Sequence, residues 1–147
     1  FMFDRPGLSS IALTTDTSAL TAIGNDYGFE RIFSRQVEAL GKKGDVLVAY
    51  STSGTSANII KALQKAQSMK ITTVGLTGIK PGCEKMTALC DVCLQVPSES
   101  TPHIQEGHLV LGHLLCGGAE QAIFTSTNKL NDKPTKDQST TVDFSTT

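Results

Sequence analysis

The residues best suited to chemistry form one short run, Ser51-Thr52-Ser53-Gly54-Thr55-Ser56, which surrounds a single glycine with hydroxyl side chains. An apolar stretch precedes the run, and a helical pattern follows it from Ala57. A hydroxyl-rich loop between a strand end and a helix start suits a phosphate. The first-turn N–H groups and the positive end of the helix dipole face the anion, the hydroxyls add donors, and glycine lets the backbone approach. The competing structural reading is plain N-capping, since Ser and Thr precede many helices. No Lys follows Gly54 as a nucleotide-binding loop requires, so a phosphorylated small molecule is expected and no nucleotide cofactor.

A second candidate is His103-Ile104-Gln105-Glu106-Gly107-His108, with His113 beyond it. On a helix Gln105 and His113 lie about 80° apart and two turns along, so both can border one cleft. Imidazole titrates near neutrality, suits proton transfer and is a common metal ligand. The bland alternative is a structural histidine. His103 falls at the helix start and is expected to be exposed, while His108 lies about 140° from His113 and off the shared cleft. Cys90-Asp91-Val92-Cys93 is a single C-x-x-C pair without a second pair or a histidine at finger spacing. With Cys83 and Cys116 it reads as buried structural thiols, reduced in a cytosolic protein.

These residues need a scaffold, and 147 residues suffice for one domain with a real core. Thirteen Lys and Arg against fourteen Asp and Glu give a net charge of -1, so no basic field for nucleic acid is present. The longest apolar runs fall well short of the roughly 20 residues that span a bilayer, and the first residues carry no secretory pattern. A strand is predicted at Ser10–Thr14, then a helix capped by Asp16 or Thr17 that stops at Gly24-Asn25. Another helix runs from Phe29 to Leu40. Val46–Tyr50 is continuously apolar, as expected of a strand covered on both faces of a parallel sheet. A helix at Ala57–Ser68, a strand at Ile71–Leu76, a short helix at Glu84–Leu89, a strand at Val92–Val96 and a long helix from about His103 follow. Gly117-Gly118 is expected to end or kink that last helix. The alternation implies an α/β sandwich with a mostly parallel sheet of four strands. Residues 125–147 read as a polar, disordered tail.

Several segments carry a resemblance in this order: Gly24-Asn25-Asp26-Tyr27-Gly28-Phe29, Phe33-Ser34-Arg35-Gln36-Val37-Glu38-Ala39, Gly44-Asp45-Val46-Leu47, Ser51-Thr52-Ser53-Gly54, Leu76-Thr77-Gly78, and Ile104-Gln105-Glu106 with His113. From about residue 4 to 124 the chain resembles the phosphoheptose isomerases of the sugar isomerase (SIS) superfamily. The resemblance implies an SIS domain over 1–124 and isomerisation of sedoheptulose 7-phosphate to D-glycero-D-manno-heptose 7-phosphate for bacterial lipopolysaccharide precursors. It also implies a cytoplasmic homotetramer that binds neither nucleic acid nor membrane. Residue by residue, Ser51, Thr52, Ser53 and Ser56 match the family's phosphate positions, His113 its catalytic histidine, and Asp26 an active-site aspartate. Gln105 matches a substrate or metal residue, so Gln105 and His113 are the two zinc ligands expected here.

The family's upstream half, with a glycine-rich loop and a helix bearing His and Glu, has no counterpart in this sequence. The expectation is therefore an N-terminally shortened domain without the opposing base, inactive alone. A catalytically silent SIS regulator of replication initiation is the main alternative, and that group typically carries Arg at the position of Ser53 and Asn at that of His113. A phosphosugar-sensing module would need an attached DNA-binding domain, and none is visible.

Overall fold

The computed structural model describes residues 2–125. The chain divides into two compact units, one of residues Gly7–His113 and one that includes the described residues 2–6 and 114–125.

In the larger unit, helix α1 (Thr17–Tyr27) starts where the Asp16 carboxylate accepts the Ala19 N–H at 2.9 Å, an N-cap of the expected kind. It runs through Gly24-Asn25, the predicted stop, and ends at Gly28, whose φ of 89° suits glycine. One interior glycine costs only about 1 kcal/mol, too little to stop a well-started helix. The helix expected over 29–40 is split into a 3-10 turn at Phe29–Arg31 and α2 (Ser34–Leu40). Gln36 pins the join, its amide donating to the Leu13 and Ile32 carbonyls at 3.0 and 2.9 Å.

Strand β1 (Val46–Tyr50), helix α3 (Ala57–Ser68), strand β2 (Thr72–Thr77), helix α4 (Glu84–Thr87), strand β3 (Val92–Gln95) and helix α5 (Thr101–Glu120) follow. The strands make one parallel sheet in the order β1-β2-β3, with Tyr50 opposite Leu76 and Thr77 opposite Gln95. The α/β class with a parallel sheet is as expected. Among the described residues the sheet has three strands, however, because residues 10–14 do not form one. There Thr15 donates from both its N–H and its hydroxyl to the Ala12 carbonyl, at 3.3 and 2.8 Å, and curls the backbone out of an extended path. A second correction concerns β1, which is an edge strand rather than one covered on both faces. Val46, Val48 and Tyr50 are 57%, 43% and 45% exposed.

Helix α3 builds the core from both sides. Ala62 and Ala66 pack with Val37 and Ile71, while Leu63 packs with Ala49 and Met86. Burying a leucine such as Leu63 contributes roughly 1.5–3 kcal/mol, and it seats α3 so that its first turn meets the end of β1.

In the smaller unit α5 continues through Gly117-Gly118, where a break was expected, into a π-helical turn at Gln121–Thr125. The anchor is Glu120, fully buried, which accepts from the Met2 N–H and from Arg5 Nε, both at 2.7 Å. That pairing outweighs two interior glycines. Arg5 also lies over the Phe124 ring. The tail reading falls, from residue 126 on, outside the described residues. No helix among the described residues is long and apolar enough to cross a membrane.

Candidate functional site

The loop 51–56 leaves the carboxyl end of β1 and enters α3, the place where ligands bind in open parallel sheets. Its first residue is fixed to the sheet, the Ser51 N–H donating to the Leu76 carbonyl at 3.0 Å. The buried Ser51 hydroxyl then accepts the Gly54 N–H at 3.1 Å and pairs with the Ser56 hydroxyl at 3.2 Å. Ser53 Oγ accepts from the N–H and hydroxyl of Thr55 at 3.2 and 3.0 Å. Gly54 is required twice over. Its φ is 66°, and a Cβ there would lie 2.7 Å from Cys83 Cα.

Plain N-capping does not describe this loop. Ser56 is the N-cap of α3, yet its side chain makes no capping hydrogen bond. The hydroxyl turns back to Ser51 instead, and the first amides of α3 keep the open N–H groups that every helix start presents. Hydroxyls and an uncapped helix start therefore converge at one place. An oxyanion fits that set of donors.

The structure brings Ser51, Ser53, Gly54 and Ser56 together, with half-buried Thr52 between them. Asp26 lies near the end of α1, exposed, and accepts from the Asn25 amide at 2.8 Å. Gln105 and His113 are exposed on α5. Among the described residues no hydrogen bond joins Asp26 or Gln105 to the loop.

The histidines are arranged differently from the sequence expectation in one respect. His103 is exposed as predicted, but His108 is buried, its ring 5.6 Å from the Tyr50 ring and edge-on to it. His108 follows the fully buried Ile104 by four residues and so lies about 40° from it around the helix, on the same buried face. Burial holds the His108 pKa below its ordinary value, with a bond to the Thr77 backbone opposing the shift.

Cys83, Cys90 and Cys93 are half-buried free thiols, and Cys116 is exposed, against the expectation of burial. Burial, with the neighbouring Cys93, pushes the Cys90 thiol up to about 12, so it stays protonated. Among the described residues no group of three or more His, Cys, Asp or Glu could hold a metal ion. Gln105 and His113 alone do not complete the four-coordinate shell that zinc takes.

The family model described as SIS domain matches residues 1–78. Relatives named phosphoheptose isomerase in Burkholderia pseudomallei (strain 1710b) and Aneurinibacillus thermoaerophilus are 63% and 60% identical over 124 residues, 84% of this chain and 62% of each relative. The solved phosphoheptose isomerase GmhA of Neisseria gonorrhoeae matches with a TM-score of 0.69 at 53% identity, over 73% of this chain and 60% of that one. That of Francisella tularensis matches with a TM-score of 0.73 at 40% identity, over 77% of this chain and 60% of that one. The chain spans 62% of the length of the first two relatives.

Proposed function

The chain belongs to the SIS-domain family, and on that premise we propose that it serves a phosphoheptose isomerase, interconverting sedoheptulose 7-phosphate and D-glycero-D-manno-heptose 7-phosphate. The observation that carries the proposal is the Ser56 hydroxyl, which leaves α3 uncapped and joins Ser51 in lining the loop. The names of the relatives supply the substrate class.

In this reading the loop anchors the sugar's phosphate through Ser51, Thr52, Ser53 and Ser56. Anchoring spends binding energy at a remote group to hold the reacting carbons in place. A base then removes a proton from C1 of the open-chain ketose, and the electron pair forms a C1–C2 enediol as the C2 carbonyl oxygen gains a proton. Reprotonation at C2 and loss of the C1 hydroxyl proton give the aldose. His113 is the acid/base group on α5, and Asp26 assists at the oxygens. The exposed apolar side chains of α5, Leu109 and Val110 at 64% and 59%, support contact with further copies of the chain, and the proposed form is a cytoplasmic homotetramer. Lipopolysaccharide precursor synthesis is the proposed use of the product.

The test is a coupled isomerase assay on the 147-residue chain beside a chimera carrying the upstream segment of the Burkholderia pseudomallei relative, each with and without added zinc. The chimera is expected to turn over sedoheptulose 7-phosphate and the short chain to bind it without turnover. A chimera that neither binds nor converts it would overturn the proposal.

A further inference from the structure

We infer that His108 is a positioning residue, which locks the carboxyl ends of β1 and β2 together beneath the 51–56 loop and so sets how well that loop holds a phosphorylated sugar. The inference rests on the phosphate reading of the loop for its consequence, though not for its geometry.

The ring touches both strand ends. One side meets Tyr50, the last residue of β1, whose hydroxyl oxygen lies 3.2 Å from the Cβ position of Gly112, one helical turn beyond His108. A ring N–H is held by the backbone of Thr77, the last residue of β2. The Thr77 carbonyl also accepts the Val96 N–H at 2.9 Å, which carries the link to the end of β3. Ser51 follows Tyr50 directly, and its hydroxyl organises Gly54 and Ser56. A shift of Tyr50 is therefore a shift of the loop's first residue.

Packing alone does not explain a histidine here. His108 Nε2 is buried without a hydrogen-bond partner, and so is the hydroxyl of the fully buried Thr77 beside it in the fold. Leaving such atoms open is costly, and a phenylalanine would fill the space against Tyr50 without that cost. The nitrogen that is satisfied, on the Thr77 backbone, is what a phenylalanine cannot supply. Both open polar atoms lie at the carboxyl end of β2, the side of the sheet that carries the loop.

Two variants separate positioning from filling. His108→Phe keeps the ring and loses the donor, while His108→Asn keeps an amide N–H near the position of Nδ1. The first readout is amide hydrogen exchange in the 147-residue chain, which needs no ligand. In His108→Phe the Ser51, Gly54 and Val96 amides should exchange about tenfold faster, as expected for one lost hydrogen bond, with Ile71 and Thr72 at the far end of the sheet unchanged. His108→Asn should stay within about threefold of the parent at every one of these amides. If His108→Phe does not fold, Tyr50→Leu removes the other face of the contact and should give the same local pattern. Unchanged exchange, or acceleration spread evenly over both ends, overturns the inference. The second readout is calorimetric titration with sedoheptulose 7-phosphate and with inorganic phosphate. Affinity should fall about tenfold in His108→Phe and be restored in His108→Asn. A parent chain that binds neither probe defeats the phosphate reading, and the exchange pattern still decides the role of His108.

Discussion

The two ends of the parallel sheet treat their polar groups in opposite ways. At the amino end Asp91 accepts from the Thr73 N–H at 2.7 Å and its hydroxyl at 2.9 Å, and the Asp91 N–H returns to the same hydroxyl at 2.9 Å. Asp45 likewise accepts the Lys42 N–H at 2.9 Å. An open cleft of about 300 Å³ lies there, lined by Gln67, Lys70, Ile71, Thr72 and Asp91, but the carboxylate inside it is already spent on Thr73. At the carboxyl end the helix start is uncapped, and Thr77 and His108 each bury a polar atom with no partner. Satisfied networks hold a structure together, whereas the open N–H groups of an uncapped helix start beside a loop are free to meet a ligand. The groups lining the amino-end cleft are structural, and the proposed chemistry belongs to the carboxyl end.

The largest expected effect tests whether catalysis belongs to the carboxyl end. In the chimera, His113→Gln should lower kcat by about 10²-fold or more, as for a lost acid/base group, whereas Thr73→Val at the amino end should leave kcat unchanged. A larger loss from His103→Gln would remove the assignment of His113.

Next comes the anchor. Ser53→Ala with Ser56→Ala should weaken sedoheptulose 7-phosphate binding by about 0.5–1.5 kcal/mol per hydrogen bond lost, and more where the bond is charge-assisted, with the melting temperature nearly unchanged. Calorimetric titration reads it. Equal affinity in the folded double variant would show that the loop is not the phosphate site.

Thr73→Val is the reciprocal experiment. Thr73 is fully buried, and losing its hydroxyl strands the Asp91 N–H. Urea unfolding should show a loss of about 1–3 kcal/mol while sugar-phosphate affinity is retained. Loss of affinity with no loss of stability would reverse the roles of the two ends.

The smallest effect is a difference in pH response. The Thr73 backbone and side-chain donors hold the Asp91 carboxyl below its ordinary 3.8, so its contribution is present above that value and lost as pH falls through the lowered one. Burial holds His108 below its ordinary 6.5, so folding favours the neutral ring. Its contribution is full above 6.5 and lost as pH falls below that toward and through the lowered value. Tyr50 and Thr77 are the residues that face the ring. Amide exchange corrected for its intrinsic pH dependence should therefore loosen first at Ser51 and Val96 and only in stronger acid at Thr73. Simultaneous loosening at both ends would erase the distinction.

Regular elements were legible in the sequence where one local pattern sufficed. Val46–Tyr50 is a continuous apolar run, Ala57–Ser68 an amphipathic one, and both have the bounds the pattern predicts. The 51–56 loop was legible too, since its residue types and its place between strand and helix are sequence facts. Where the outcome depended on a neighbour, local pattern failed. Ser10–Thr14 has strand-like residues but curls onto Ala12. Gly117-Gly118 looks like a break, yet Glu120 is held by Arg5 from the other end of the chain.

By itself the sequence determined the α/β alternation, the apolar strands, the hydroxyl loop and the helix that carries Gln105, His108 and His113, because each follows from spacing along the chain. Tertiary structure alone decided that β1 lies at an edge, that the Ser56 hydroxyl turns to Ser51 instead of capping α3, and that His108 rather than His113 is the buried histidine. Helical spacing gives the angle between two side chains on one helix, about 140° for His108 and His113. It does not say which direction faces the sheet; that depends on how Ile104 seats against Gly78, whose Cβ position lies 2.3 Å from Ile104 Cδ1. Glycine allows that approach, and the approach turns His108 onto Tyr50.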